Sequence, residues 1–176
     1  RDPKVFWYEE RNCWMMILAN GYQVEVYSSC NLKEWNREMG WGGHVGAHNG
    51  VWECPDLVQV PVEDSQESKW VMLVSISNGS IAGGSGTQYF IGDFVGNDFI
   101  LHTDGNARWL DYGKDNYAGV TWSGVRDSRG RPIFIGWMSN WDYANQVPTF
   151  QYRSANSVPR DLYLYEQDGQ THLASV

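Results

Sequence analysis

The chain has 176 residues, enough for one domain with a sizeable core, and no apolar run approaches the roughly 18 residues of a membrane span. Its formal net charge of −8 argues against nucleic acid as a partner, because phosphate binding requires a basic face. Ten Trp, ten Tyr, six Phe and 19 Gly suit a twisted β core with frequent turns, and such rings also stack on sugars.

The chain opens at Arg1 without a Met or signal peptide, so it reads as a processed or excised piece. Strand signals follow in order: Lys4 to Tyr8, Trp14 to Leu18 and Gln23 to Tyr27, punctuated by Arg11-Asn12 and Asn20-Gly21. Ser28 to Trp35 reads as a turn leading to an outer edge strand. The same pattern then recurs. Asp56 to Pro61, Lys69 to Ile76 and Thr87 to Phe94 make a second copy, and Tyr117 to Trp122 followed by Pro132 to Met138 begins a third. The copies open at Asp2, Glu53 and about Tyr117, which are 51 and 64 residues apart. A four-stranded unit repeated at about 40–60 residues is the pattern of propeller blades, and three blades do not close a ring. The expectation is an all-β chain forming part of a propeller over 1–158. Residues 159–176 read as a further hairpin, leading to a final blade or a linker.

Innermost strands of successive blades line one axis, so the acids that open them, Asp2 and Glu53, are expected at equivalent positions facing one hollow. Paired carboxylates are what glycoside hydrolysis requires, one to protonate the leaving oxygen and another to stabilise or attack the sugar carbon. A carboxylate at a strand start is common on any surface, so spacing alone is a weak signal. Three cysteines, Cys13, Cys30 and Cys54, make no even disulfide framework. His44 and His48 are four apart but lie in a glycine-rich loop, which argues against a metal site. Gly83 to Gly86 has no helix with a following Lys-Ser/Thr, so it reads as a hairpin turn and not a phosphate cradle.

Four segments carry a more specific signal. Arg1-Asp2-Pro3-Lys4-Val5 and Trp52-Glu53-Cys54-Pro55-Asp56 resemble the RDPKV and EC motifs of glycoside hydrolase family 32, which contains invertases, inulinases and levanases. Asp111 to Ala118 and Gly136 to Trp141, with Val147-Pro148-Thr149 after them, resemble the family's next two stretches, in the family's order. The resemblance implies a five-bladed propeller that cleaves β-fructofuranosides with retention, and needs no metal or organic cofactor. It implies Glu53 as general acid/base and Asp2 as the transition-state stabiliser that holds fructose hydroxyls. Arg1, Asp111, Lys114, Cys54 and Trp141 are implied around the substrate, Cys54 and Trp141 having equally plain readings as a small buried hydrophobe and as core. Tyr117 reads as structural. Sucrose or a fructan is the implied substrate, and a secreted or periplasmic location the implied setting. The family's nucleophile, the Asp of an NDPNG-type motif, does not occur in residues 1–176. The chain alone is therefore expected to be inactive, and a propeller that binds fructan without cutting it is the alternative reading.

Overall fold

In the computed structural model, which describes residues 1–176, the chain forms three antiparallel sheets in sequence order. The first contains β1 (Lys4–Tyr8), β2 (Cys13–Ala19), β3 (Val24–Ser29) and β4 (Asn36–Trp41). The second contains β5 (Trp52–Pro61), β6 (Ser68–Ile76), β7 (Gly86–Val95) and β8 (Asp98–Leu101). A short fifth strand, β9 (Arg108–Trp109), adds to β7. The third contains β10 (Tyr117–Arg126), β11 (Pro132–Trp137), β12 (Arg160–Gln167) and β13 (Gln170–Ser175). Apart from β9, each sheet is a simple meander, as the strand-and-turn pattern predicts.

The expected boundary at 158/159 does not separate two units. Strand β12 pairs with β11 through Ile133↔Asp161 and Phe134↔Arg160, so residues 160–175 are the outer half of the third sheet. Sequence spacing obscures this because the β11–β12 connection, residues 138–159, contains only a single short 3-10 turn. Its far end is a tight hairpin at Asp168-Gly169, both with positive φ (51° and 74°), which is what a two-residue primed turn requires.

Burial explains how the sheets stack. Strand β6 is buried at every position from Val71 to Ile76, because the second sheet is covered on both faces. On one side Met72, Val74, Ile76, Phe90 and Phe94 pack against Met15, Ile17, Val24 and Val26 of the first sheet. On the other, Val71, Leu73, Tyr89 and Ile91 pack against Phe134, Leu162 and Leu164 of the third. Strands β2 and β11, each covered on one face, alternate buried and partly buried instead. With about 25 cal/mol per Å² of buried apolar surface driving it, this face-to-face stacking is the main term holding the three sheets in series. It brings the innermost strands β1, β5 and β10 side by side.

Candidate active site

Each innermost strand opens with the same irregularity. Arg1 pairs with Ala19 through backbone bonds of 2.7 and 3.0 Å, while Lys4 pairs with Ile17, so Asp2 and Pro3 together face Leu18. In β5, Cys54 and Pro55 face Val74, between the pairs Glu53↔Ser75 and Asp56↔Leu73. In β10, Ala118 and Gly119 face Gly136, between Tyr117↔Trp137 and Val120↔Ile135. These are one-residue β-bulges, which bend a strand and re-aim its side chains. The first bulged residue is left-handed each time: φ is 57° at Asp2, 46° at Cys54 and 53° at Ala118. A non-glycine residue held there costs about 1–3 kcal/mol, a strain found mostly at functional sites.

The bulges correct the expected equivalence of the two acids by one residue. Glu53 occupies the place of Arg1 and Tyr117, whereas Asp2 occupies the place of Cys54 and Ala118. Aligning Pro3 on Pro55, instead of acid on acid, gives this register from the sequence.

The offset makes the two acids neighbours in one hydrogen-bonded cluster. Asp2 Oδ2 accepts the Cys54 backbone N–H at 3.0 Å, and the Cys54 thiol lies 3.5 Å from the same oxygen. The Arg1 guanidinium bridges the acids, with Nη1 2.8 Å from Glu53 Oε1 and Nε 3.3 Å from Asp2 Oδ2. The Tyr117 hydroxyl donates to Glu53 Oε2. An ion pair on one oxygen and a hydrogen bond on the other thus fix the Glu53 carboxylate, whose side chain is 14% exposed. Asp2 is 29% exposed. Burial pushes the Asp2 carboxyl up, but the Cys54 N–H and the Arg1 guanidinium together outweigh it and hold the group below its usual value. Burial, then Asp2, pushes the Cys54 thiol up to about 12, so it is a neutral thiol beside the acids. Burial and the Glu53 carboxylate likewise raise Tyr117 well above an ordinary phenol, so it stays a hydroxyl donor.

Tyr117 is the residue whose part sequence reasoning underrated. Its signal was present, because it opens the third repeat just as Glu53 opens the second. The Trp141 indole, half exposed, reaches the cluster by packing on Trp137 at 5.0 Å, which in turn packs on Tyr117 at 6.2 Å. The turn at Gly83 to Gly86 also has a task beyond reversing the chain. Ser85 Oγ accepts the Trp141 N–H at 3.0 Å, and buried Asn140 ties Gly83, Ser85 and Lys114 together through its side chain. Gly84, at φ 67°, passes so close to Asn140 Oδ1 that any Cβ there would collide with it. The other two expected residues stand further out. Asp111 pairs with Arg160 at 2.8 Å and Lys114 with Asp142 at 2.5 Å, and neither bonds Arg1, Asp2, Glu53 or Cys54. Asp111 connects only through the Asn116 side chain, at 3.4 Å, to the residue before Tyr117.

His48 has a structural use that removes it from the site. Its ring stacks on Trp52 at 4.8 Å and 13°, while Nε2 lies 2.9 Å from Val45 O, anchoring the loop that leads to Glu53. A cavity of about 510 Å³ lies along the innermost strands among Trp7, Trp14, Trp70, Trp122 and Arg126. Neither Asp2 nor Glu53 lines it, and the chemistry-bearing groups decide the site here, not the cavity size.

Comparison with known proteins identifies the family. The model of the glycosyl hydrolases family 32 N-terminal domain matches residues 1–175. This chain belongs to glycoside hydrolase family 32. Family 32 relatives include a levanase of Bacillus subtilis, 51% identical over 93% of this chain and 24% of that protein. An extracellular exo-inulinase of Meyerozyma guilliermondii is 43% identical over 93% of this chain and 32% of its own length. Among solved family 32 structures, the exo-inulinase of Aspergillus awamori superposes with a TM-score of 0.92 at 35% identity, over all of this chain and 35% of that one. The fructofuranosidase of Schwanniomyces occidentalis complexed with fructose gives 0.89 at 40% identity, over all of this chain and 34% of that one. The three sheets are therefore blades of a β-propeller. The chain spans a quarter to a third of the length of these relatives.

Proposed function

We propose that these residues belong to a retaining β-fructofuranosidase, in which Glu53 is the general acid/base and Asp2 holds the hydroxyls of the fructose being transferred. The observation that carries this reading is the bulged pair of strand ends, where Arg1 joins the two carboxylates and Tyr117 orients one of them. In the first step, protonated Glu53 gives its proton to the glycosidic oxygen as the bond to the fructosyl carbon breaks. A carboxylate from outside residues 1–176 attacks that carbon and forms the covalent intermediate. In the second step, Glu53 takes a proton from water as the water displaces that carboxylate, releasing fructose. Asp2, an acceptor-only group when ionised, binds two hydroxyls at the reacting ring, and half-exposed Trp141 offers an apolar face to the sugar. Arg1 and Cys54 shape the wall between Asp2 and Glu53, and Asp111 and Lys114 act at a distance, through the loops they tie. Sucrose, inulin and levan are the substrate candidates, in keeping with relatives named levanase, exo-inulinase and invertase. Export from the cytoplasm is part of the same proposal, because relatives carry the description extracellular.

The test is Glu53→Gln in the full-length polypeptide that contains residues 1–176. Loss of the proton donor is expected to lower fructose release by about 10²–10⁴-fold while fructan binding is kept. Release at the wild-type rate contradicts the assignment. Fructan binding by both forms with no release by either favours the non-catalytic fructan-binding propeller.

A further inference from the structure

Two charged residues just past the bulges have no part in the chemistry described above, yet they are buried against it. Asp56 is fully buried and Lys4 nearly so. By register they are equivalent, each being the first residue after its bulge. The Lys4 ammonium lies 3.2 Å from Asp56 Oδ1 and 3.3 Å from Oδ2, and 2.5 Å from the Thr121 carbonyl oxygen. Asp56 Oδ2 also accepts the Thr121 N–H at 2.5 Å and the Thr121 hydroxyl at 2.7 Å. One carboxylate therefore joins β1, β5 and β10, and hence all three blades, at a single point.

Burying such a pair is costly, and apolar residues of similar volume often serve stability as well or better. What an apolar core cannot supply is a directional tie at this point. The β5 bulge has two ends. At one, Glu53 is held by Arg1 of the first blade and Tyr117 of the third. At the other, Asp56 is held by Lys4 of the first blade and Thr121 of the third. The left-handed Cys54 between them is a strained joint, so the direction of Glu53 depends on both ends being fixed.

We propose that Asp56, held by Lys4 and Thr121, is a positioning residue that sets the Glu53 carboxylate relative to Asp2 and to the leaving oxygen, without touching substrate. The proposal rests on Glu53 being the proton donor. Misplacement by about 1 Å costs a catalyst as much as 10²-fold, so the expected effect is on rate.

The experiment compares sucrose with β-fructosyl fluoride, whose fluoride leaves without a proton, using the full-length polypeptide below its unfolding temperature. Asp56→Asn is expected to lower kcat on sucrose by about tenfold or more but on the fluoride by only a few-fold, the same leaving-group dependence as Glu53→Gln. Leu164→Ala, a core change far from the site, provides the structural control, with equal loss on both substrates. Thr121→Val, which removes only the hydroxyl tie, is expected to show the same dependence more weakly, and serves if Asp56→Asn does not fold. Equal loss on both substrates in the Asp56 and Thr121 variants, or no loss on either, overturns the positioning role while leaving the Glu53 reading intact. A wild-type protein that releases fructose from neither substrate, or a Glu53→Gln variant without leaving-group dependence, overturns both.

Discussion

Glu53 has one partner at each carboxylate oxygen, an ion pair with Arg1 of the first blade and a hydrogen bond from Tyr117 of the third. Removing either loosens the carboxylate by one direction. Tyr117→Phe deletes only the hydroxyl and keeps the ring against Trp137. A hydrogen bond to a charged group contributes about 1.5–3 kcal/mol, so a loss of roughly 10- to 100-fold in kcat is expected, with KM little changed. Unchanged kcat would leave Tyr117 as packing only. Asp2 makes a prediction about pH. Its folded pKa lies below the unfolded one, so its contribution to stability is fully present above the unfolded value, near 3.9, and is lost as pH falls through the folded value. Asp2→Asn removes that dependence. Urea unfolding midpoints of wild type and Asp2→Asn are expected to differ at pH 6 and to converge towards pH 3. A constant difference across that range would mean that the Cys54 and Arg1 bonds do not distinguish the ionised form. The motif residues Asp2 and Glu53 were legible in the sequence. Their mutual register was not, because acid-to-acid alignment ignores the extra residue in each bulge.

At the scale of the element, the bulge is the unit that builds the site, and its repetition separates two substitutions one position apart. Ala118 is left-handed at φ 53°, so Ala118→Gly relieves strain of about 1–2 kcal/mol at an entropic cost of about 0.5–1 kcal/mol. A small rise in Tm, about 1–4 °C for a chain of this size, is expected by thermal unfolding. At Gly119 the opposite holds, because a Cβ there would collide with the buried Phe134 ring. Gly119→Ala is expected to cost about 1–3 kcal/mol by urea unfolding, as overpacked cores do. If the two changes moved stability in the same direction, the bulge would not be present in β10. Strand positions were legible from alternation and turn residues, most fully in β1 and β11. Strand β9 was not, since Arg108 and Trp109 carry no periodic pattern and pair with β7 through tertiary packing alone. The membership of β12 in the third sheet was hidden by the length of the connection before it.

On the scale of the whole molecule, stacking the central sheet on both neighbours brings three bulged strand ends together, and the proposed chemistry rests on that convergence. The repeat period made the blades visible in the sequence. The cross-blade ties did not show there, because contacts such as Lys4–Asp56–Thr121 link residues 52 and 117 positions apart and leave no local pattern. The most direct measurement of the central claim is a crystal structure of the full-length polypeptide with bound fructose. The sugar is expected between Asp2, Glu53 and Trp141, with the Asp2 carboxylate accepting its hydroxyls and Glu53 facing the anomeric oxygen. Fructose seated instead in the tryptophan-lined cavity along the innermost strands, with Asp2 and Glu53 left free, would contradict the account.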